Sequence, residues 1–88
     1  MKYTVIWSPR AEQLLAEVWL QSSNRDAVAQ AAKAIDRGLE GRALDIGESR
    51  ESGRRICFEP PLGAVYSIRP ERNLVRVLRV WEIKRHRA

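Results

Sequence analysis

Apolar residues near the start of the chain recur at every second position. Tyr3, Val5 and Trp7 follow this period in a stretch rich in β-branched and aromatic side chains. Side chains of a β-strand point alternately to its two faces, so a period of two is typical of a strand with one buried face. The pattern predicts a strand over residues 2–7.

After this strand the apolar period lengthens to that of a helix. Ser8 followed by Pro9 predicts the start, because a serine hydroxyl can accept a hydrogen bond from a first-turn amide. Proline at the first helical position loses no hydrogen bond. The apolar positions that follow are Ala11, Leu14, Leu15, Val18 and Trp19. They lie on one face of a helix that is predicted to run to about Gln21.

A second helix with the same spacing follows a short polar turn. Ser23 or Asn24 is expected to cap it, and Asp26 suits its positive end. Its apolar positions are Val28, Ala31, Ala32, Ile35 and Leu39. The helix is predicted to end at Gly41, which completes a helical hairpin. The glycine-rich, charged residues 41–53 are predicted to form a loop.

The second half of the chain returns to a period of two. Three strands are predicted, at residues 54–59, 64–69 and 74–83, with proline- and glycine-containing turns between them. The order β-α-α-β-β-β predicts an α+β fold, in which a helical hairpin packs on one face of a mainly antiparallel sheet. The other face of the sheet is expected to be open to solvent or to a partner.

The strands differ in how clearly the pattern assigns their faces. Ile56 and Phe58 form the expected core pair of the first of these strands, which would place Arg55, Cys57 and Glu59 on the open face. The last strand carries apolar residues in both alternations, so its faces stay unassigned. A bulge near Trp81, or a departure from the sheet after Ile83, would place Arg79 and Arg85 with Arg55.

Length and composition restrict the class of protein. Eighty-eight residues, 44% of them hydrophobic and 31% charged, predict one folded domain over residues 1–88. No apolar run exceeds three residues, so we expect no membrane span and a cytoplasmic location. The lone Cys57 excludes an internal disulfide and a cysteine-based zinc site, and we expect no metal or cofactor.

The net charge of +5 is unevenly distributed. Residues 1–53 hold seven basic and eight acidic side chains, whereas residues 54–88 hold nine basic and three acidic ones. A cluster of cations raises the local potential and favours polyanions, whose bound counterions it releases. The second half is therefore a candidate surface for a nucleic acid or an acidic partner; the alternative is a solvated strand face.

Three segments carry a resemblance that extends over essentially the whole chain. They are the Ser-Pro helix start, SGRRICFEPPLGAVYSI, and LVRVLRVWEIKRHR. In this arrangement the chain resembles the RelE/ParE superfamily of type II toxins. The resemblance implies the toxin of a system that stabilises a plasmid or chromosome. It also implies a hetero-oligomer with a cognate antitoxin protein, whose extended or helical segment wraps the toxin.

The superfamily implies two different modes of action. RelE-like members cut messenger RNA in the ribosome without a metal, which requires a base, an acid and cations that stabilise the phosphate charge. By resemblance, Arg55 (or Arg54), Arg85 and His86 are the candidate catalytic residues, with His86 able to act as acid or base near neutral pH. ParE-like members instead poison DNA gyrase by binding. We take ribosome-dependent cleavage as the first expectation.

Three departures weaken the nuclease reading. Gly63 stands where active members often carry an arginine, and Cys57 stands where a second basic residue is frequent. The chain also lacks the C-terminal tyrosine that stacks on a base. These departures favour a gyrase-binding member or a catalytically inactive RNA-binding relative.

Two further sets of residues are candidates for binding. The expected contacts to a nucleic acid or other target are Arg54, Arg76, Arg79, Lys84 and Arg87. The expected contacts to the antitoxin are Leu15, Trp19 and Leu20, on an apolar strip of the first helix.

Overall fold

The computed structural model describes residues 2–46, 48, 49 and 53–83. Two helices and five strands form in the order β1 (Thr4–Trp7), α1 (Pro9–Gln21), α2 (Arg25–Ile46), β2 (Glu48–Ser49), β3 (Arg54–Glu59), β4 (Leu62–Arg69) and β5 (Leu74–Glu82). The strands make one sheet in the order β1-β5-β4-β3-β2. β1 and β5 are parallel, and the other neighbouring strands are antiparallel.

The predicted α+β fold is confirmed, with the helical hairpin on one face of the sheet and an antiparallel β3-β4-β5 meander. The helices contribute Ala11, Val28, Ala31, Ile35, Leu39 and Ala43 to the core, and the strands contribute Cys57, Leu62, Ala64, Tyr66, Val75, Val77 and Val80. We call the face of the sheet that these strand residues share the covered face, and the opposite one the open face.

Ser8 connects the start of α1 to β5. Its hydroxyl accepts a hydrogen bond from the amide of Ala11 at 3.0 Å, which is the predicted helix cap, and donates one to the Leu78 carbonyl at 3.2 Å. The Ser8 amide also donates to the Val77 carbonyl, at 2.9 Å. One side chain therefore fixes both the helix start and the position of α1 against the middle of β5.

The second helix is longer than predicted. Asn24 caps it, because its side-chain oxygen accepts from the Ala27 amide at 3.1 Å. Regular helical geometry is interrupted directly after the predicted end at Gly41, by non-helical torsions at Arg42 (φ −138°, ψ 32°), but a further helical turn extends α2 to Ile46. Buried Ala43 explains the extra turn, because its carbonyl accepts a hydrogen bond from the Tyr66 hydroxyl at 2.8 Å. Part of the predicted loop also forms β2, which pairs with β3.

The predicted faces of β3 are reversed. Cys57 is 4% exposed and lies in the core, whereas Phe58 is 57% exposed on the open face. Cys57 is paired with Ala64, which is paired with Val80, so three small side chains lie together beneath the helices. The larger Phe58 ring is accommodated on the side without helices, and Arg55 is consequently on the covered face.

A bulge at Leu78 decides the faces of β5. Val65 pairs with Arg79 but the next residue, Tyr66, pairs with Val77, so Leu78 is the extra residue. Because of it, Val77 and Val80 are both buried although they are three positions apart. The predicted bulge near Trp81 therefore lies three residues earlier, and β4 begins at Leu62 instead of the predicted residue 64.

Candidate functional site

Three rows of side chains cross strands β3, β4 and β5 on the open face. The pairing places Arg54, Ser67 and Arg76 in the first row, Ile56, Val65 and Arg79 in the second, and Phe58, Gly63 and Trp81 in the third. Rows lie two residues apart along β3 and β4, so the first and third are separated by about 13 Å. The open face is therefore cationic at one end and aromatic at the other.

The cationic end is a concavity of about 660 Å³, which we call the arginine pocket. Its lining residues are Arg54, Ser67, Arg69, Glu71, Arg72, Leu74, Arg76 and Leu78. Four arginines thus face one glutamate, and their guanidinium groups attract anions to this end of the sheet. Arg54 and Arg76 were predicted from the sequence as target contacts, and the structure brings them together on either side of Ser67.

The opposite end is formed by Phe58, Gly63 and Trp81, which we call the aromatic patch. A Cβ atom added at Gly63 would lie 2.6 Å from Cε2 and Cζ2 of Trp81, so the indole ring rests directly on this glycine. Phe58 and Trp81 meet edge to face, with ring centroids 6.4 Å apart. An aromatic ring thus covers the glycine that stands where, by resemblance, active members often carry an arginine.

A methyl group at Gly63 is expected to displace this ring. Gly63→Ala should lower the free energy of unfolding by about 1–3 kcal/mol, the usual cost of overpacking. The penalty should largely disappear in a Trp81→Ala background, because the space above residue 63 is then free. Urea denaturation of the four proteins of this cycle measures the coupling.

Gly41→Ala is the matched control for this substitution. A Cβ at Gly41 meets no atom within 4 Å, so the change should be neutral or slightly stabilising. Equal effects at Gly41 and Gly63, or an undiminished penalty without the Trp81 ring, would contradict the packing described for the aromatic patch.

Arg55, the first candidate catalytic residue, binds the end of α2. Its Nη2 donates to the Leu44 carbonyl at 2.9 Å, and its side chain is hydrogen-bonded to Tyr66, the residue opposite it on β4. The last carbonyls of a helix lack partners within the helix and carry partial negative charge, which a guanidinium stabilises. The predicted open-face position of Arg55 is wrong, and Arg54 is the β3 arginine that reaches the open face.

The other candidates are near the C-terminus and lie outside the described residues; they are Lys84, Arg85, His86 and Arg87. Arg79, the remaining predicted target contact, is exposed in the second row of the open face, beside Val65. The structure therefore brings Arg54, Arg76 and Arg79 to the same face of the sheet, while Arg55 is on the other.

Burial changes the titration of two core side chains on the covered face. Desolvation, reinforced by the nearby charge of Glu59, raises the pKa of the Cys57 thiol to about 11. Desolvation also raises the pKa of Tyr66, although its hydrogen bond with Arg55 acts in the opposite direction. Both groups are consequently neutral at physiological pH, and Cys57 is best described as a small buried hydrophobic residue.

A second concave surface lies between the two helices. This apolar groove has a volume of about 730 Å³ and is lined on the α1 side by Leu15, Ala16, Trp19 and Leu20, and on the α2 side by Val28, Ala29 and Ala32. Glu12, Lys33 and Asp36 supply charges around it. The three side chains predicted for antitoxin binding therefore share one groove, which we call the hairpin groove.

Two sets of interactions shape the hairpin groove. The guanidinium of Arg25 lies 4.6 Å from the centroid of the Trp19 ring and donates 3.0 Å hydrogen bonds to the carbonyls of Trp19 and Leu20. Arg25 thereby caps two carbonyls at the C-terminal end of α1 and packs against the Trp19 indole. Trp7 Nε1 donates to Asp36 Oδ1 at 2.6 Å and links β1 to α2. Leu20 nevertheless remains 61% exposed.

Neither a metal-ligand group nor a membrane-spanning helix is present among the described residues. Residues 2–46, 48, 49 and 53–83 contain no group of three His, Cys, Asp or Glu side chains arranged to hold a metal ion. Within the same ranges neither helix is both long and apolar enough to cross a membrane.

Comparison with known families identifies this arrangement. The model of the ParE toxins of type II toxin-antitoxin (parDE) systems matches residues 5–86. The chain belongs to the ParE toxin family. No curated protein matches this ParE-family sequence significantly.

Solved toxin structures share the fold of this ParE-family chain. It is similar to a chain of the RelBE2 toxin-antitoxin complex of Mycobacterium tuberculosis, at 22% identity and a TM-score of 0.76, over 93% of this chain and 92% of that one. It is also similar to a chain of the chromosomal ParDE system of P. aeruginosa, at 13% identity and a TM-score of 0.70, over 94% of this chain and 98% of that one. Its similarity to the isolated E. coli RelE toxin has 18% identity and a TM-score of 0.64, over 96% of this chain and 87% of that one. At these identities, the similarity shows the shared fold alone.

Sequence reasoning missed two of the four arginines of the arginine pocket, and the serine between the other two. Ser67, Arg69 and Arg72 belong to it but were not among the predicted contacts. Ser67 is two positions from Val65 on the same strand and therefore shares its face. This spacing is visible in the sequence. The position of Ser67 between two arginines depends on the strand register, which the hydrophobic pattern does not fix.

Proposed function

We propose that a cognate antitoxin neutralises this ParE-family toxin and that the free toxin arrests growth by binding DNA gyrase, not by cutting RNA. The observation that carries this proposal is the position of Arg55. Among the described residues, it was the leading catalytic candidate, and it binds the Leu44 carbonyl on the covered face. A toxin that acts by binding does not require it on the open face.

The aromatic patch supports the same conclusion. Cleavage of RNA requires cations beside the reacting phosphate, because charge develops there in the transition state. At Gly63, where such an arginine is expected by resemblance, the indole of Trp81 occupies the space above the backbone. Phe58 beside it is 57% exposed. Exposed aromatic side chains are frequent anchors of protein interfaces, which suits a protein target.

The hairpin groove supports the proposed antitoxin partner. Its walls are apolar, its edges carry both acidic and basic groups, and Leu20 and Trp19 expose 61% and 41% of their surfaces. A groove of this kind fits one face of an amphipathic helix. The similar solved chains include members of toxin-antitoxin complexes, namely RelBE2 and the intact E. coli RelBE. We therefore assign Leu15, Trp19 and Leu20 to antitoxin binding and expect a hetero-oligomer.

Ribosome-dependent cleavage of messenger RNA is the second candidate, favoured by the arginine pocket. Arg54 lies on the open face, where a cation could reach a scissile phosphate. In this case Arg54 would act with Arg85 and His86 of the C-terminal segment. A catalytically inactive RNA-binding relative would use the same arginines without cutting.

Controlled induction in bacteria separates these functions. Expression of the chain alone should arrest growth, and co-expression of the protein encoded by the adjacent reading frame should restore it. During arrest, we expect gyrase to be trapped on cleaved chromosomal DNA and translated messages to stay intact. Normal growth at confirmed expression would contradict the toxin assignment.

A pair of matched variants makes the induction experiment sharper. Arg85→Ala and His86→Ala should retain the growth arrest if the toxin acts by binding. Cuts in translated messages that disappear in Arg54→Ala or Arg85→Ala would instead establish the nuclease. RNA binding without arrest would point to the inactive relative.

A further inference from the structure

The first row of the open face has the composition of an anion-binding site. Arg54 and Arg76 are the cross-strand neighbours of Ser67, on β3 and β5 respectively. Neighbouring strands are about 4.8 Å apart, so both guanidinium groups can reach an anion bound above the Ser67 hydroxyl. Each guanidinium offers a planar fork of donors that matches two oxygens of one anion.

Arg69 and Arg72 extend this site toward the β4-β5 turn. Arg69 is two residues beyond Ser67 on the same face, a step of about 7 Å along the strand. Arg72 is in the 3₁₀ turn Pro70–Arg72, which Asn73 ends in a left-handed conformation (φ 49°). The pocket thus holds two pairs of arginines, Arg54 with Arg76 and Arg69 with Arg72. This arrangement fits two successive anionic groups about 7 Å apart.

We propose that the arginine pocket binds the phosphodiester backbone of a nucleic acid. A nucleic acid supplies phosphates at regular intervals, whereas inorganic phosphate supplies a single anion. Leu74 and Leu78, both partly buried, add apolar surface to the pocket against which a sugar can pack. Extended peptides that bind sheets commonly add to an edge through backbone hydrogen bonds, but this site is on a face.

For a toxin that acts on gyrase, the ligand is the DNA held by the enzyme. This extension rests on the proposed function, since it gives the toxin contacts to both the protein and its DNA. The site itself is defined by the chain alone. Its binding to DNA is therefore measurable without gyrase.

Fluorescence anisotropy of labelled DNA tests the proposal with the intact protein. Duplex and single-stranded oligonucleotides are titrated with the toxin at several salt concentrations, with inorganic phosphate and poly-glutamate as competitors. Arg54→Gln/Arg76→Gln should weaken binding by about tenfold or more, since each change removes a charge-assisted hydrogen bond. Each substitution should also reduce the slope of log K against log salt by about 1.

Arg37→Gln is the matched control, because Arg37 is exposed on α2 and the change removes the same charge. It should leave both affinity and salt slope nearly unchanged. The proposal would be overturned if the control and the pocket variant lost DNA affinity equally. It would also be overturned if poly-glutamate displaced labelled DNA as effectively as unlabelled DNA does. Phosphate binding without any DNA binding would also overturn it.

The outcome is separable from that of the proposed function. Retained growth arrest and gyrase trapping without DNA binding by the toxin would refute the phosphodiester site alone. Retained DNA binding without gyrase trapping would refute the proposed target and leave the site intact.

Discussion

A Leu20→Glu toxin should continue to arrest growth when its antitoxin is co-expressed. Leu20 lies in the hairpin groove and is 61% exposed, so its replacement should leave the fold intact. A helix that packs its apolar face into the groove would then bury a charged carboxylate where it now meets an apolar side chain. We expect the antitoxin to bind more weakly by about 2–4 kcal/mol, a factor of about 30 to 700 in Kd.

Gln13→Glu is the matched control for this prediction. It introduces the same side chain at an exposed position of α1 that does not line the groove. The control toxin should be neutralised as well as the parent, and both variants should unfold at the temperature of the parent. Full neutralisation of Leu20→Glu, with unchanged Kd in a titration of the purified proteins, would exclude the hairpin groove as the antitoxin site.

Stability should fall steeply between about pH 9 and pH 11. The unfolded chain releases the Cys57 proton near the ordinary pKa of 9.0, whereas the folded protein retains it to about 11. In this window the unfolded state binds fewer protons, so the free energy of unfolding decreases as pH rises. Two pKa units set an upper limit of about 3 kcal/mol on this loss. Tyr66, whose pKa is also raised, adds to the loss above pH 10.

Cys57→Ala should remove most of this pH dependence. Alanine cannot ionise, and its small side chain fits a position beside Ala64 and Val80. The variant is expected to be slightly less stable at neutral pH but to lose less stability at pH 10, as measured by urea denaturation across the pH range. A parent protein with constant stability from pH 8 to pH 10.5 would contradict the burial of this thiol.

The hydrophobic pattern predicted the parts of the fold that local spacing determines. Ser8 and Pro9 marked the start of α1. Leu15, Trp19 and Leu20 line one groove, in which Leu15 and Trp19 are neighbours because residues four positions apart lie on the same face of a helix. The groove also required the second helix to pack beside the first, which its own apolar stripe indicated. These features depend on neighbours in the sequence.

The errors occurred where distant residues decide the structure. Cys57 and Phe58 exchanged their predicted faces because the space beneath the helices accepts the smaller side chain, next to Ala64. The bulge at Leu78 determines which β5 arginines are on the open face. The carbonyl of this residue accepts the hydrogen bond from the Ser8 hydroxyl. The turn of α2 beyond Gly41 depends on Tyr66, more than twenty residues later. None of these contacts has a signature in a hydrophobic period.

The position of Arg55 changes the functional interpretation most. The family resemblance suggested a catalytic cation, yet Arg55 Nη2 donates to the Leu44 carbonyl near the end of α2. The arginines that remain on the open face, together with the aromatic patch, form a surface suited to binding. The family shows that the chain is a ParE-type toxin, and the position of Arg55 supports our proposal that it acts without RNA cleavage.

The most direct test of this action uses purified gyrase, supercoiled plasmid and the purified toxin. We predict that the toxin traps gyrase on cleaved DNA, which appears as linear plasmid after denaturation, and that the antitoxin prevents it. Absence of trapped complexes, together with cleavage of messages in a translating extract, would contradict the proposed mechanism.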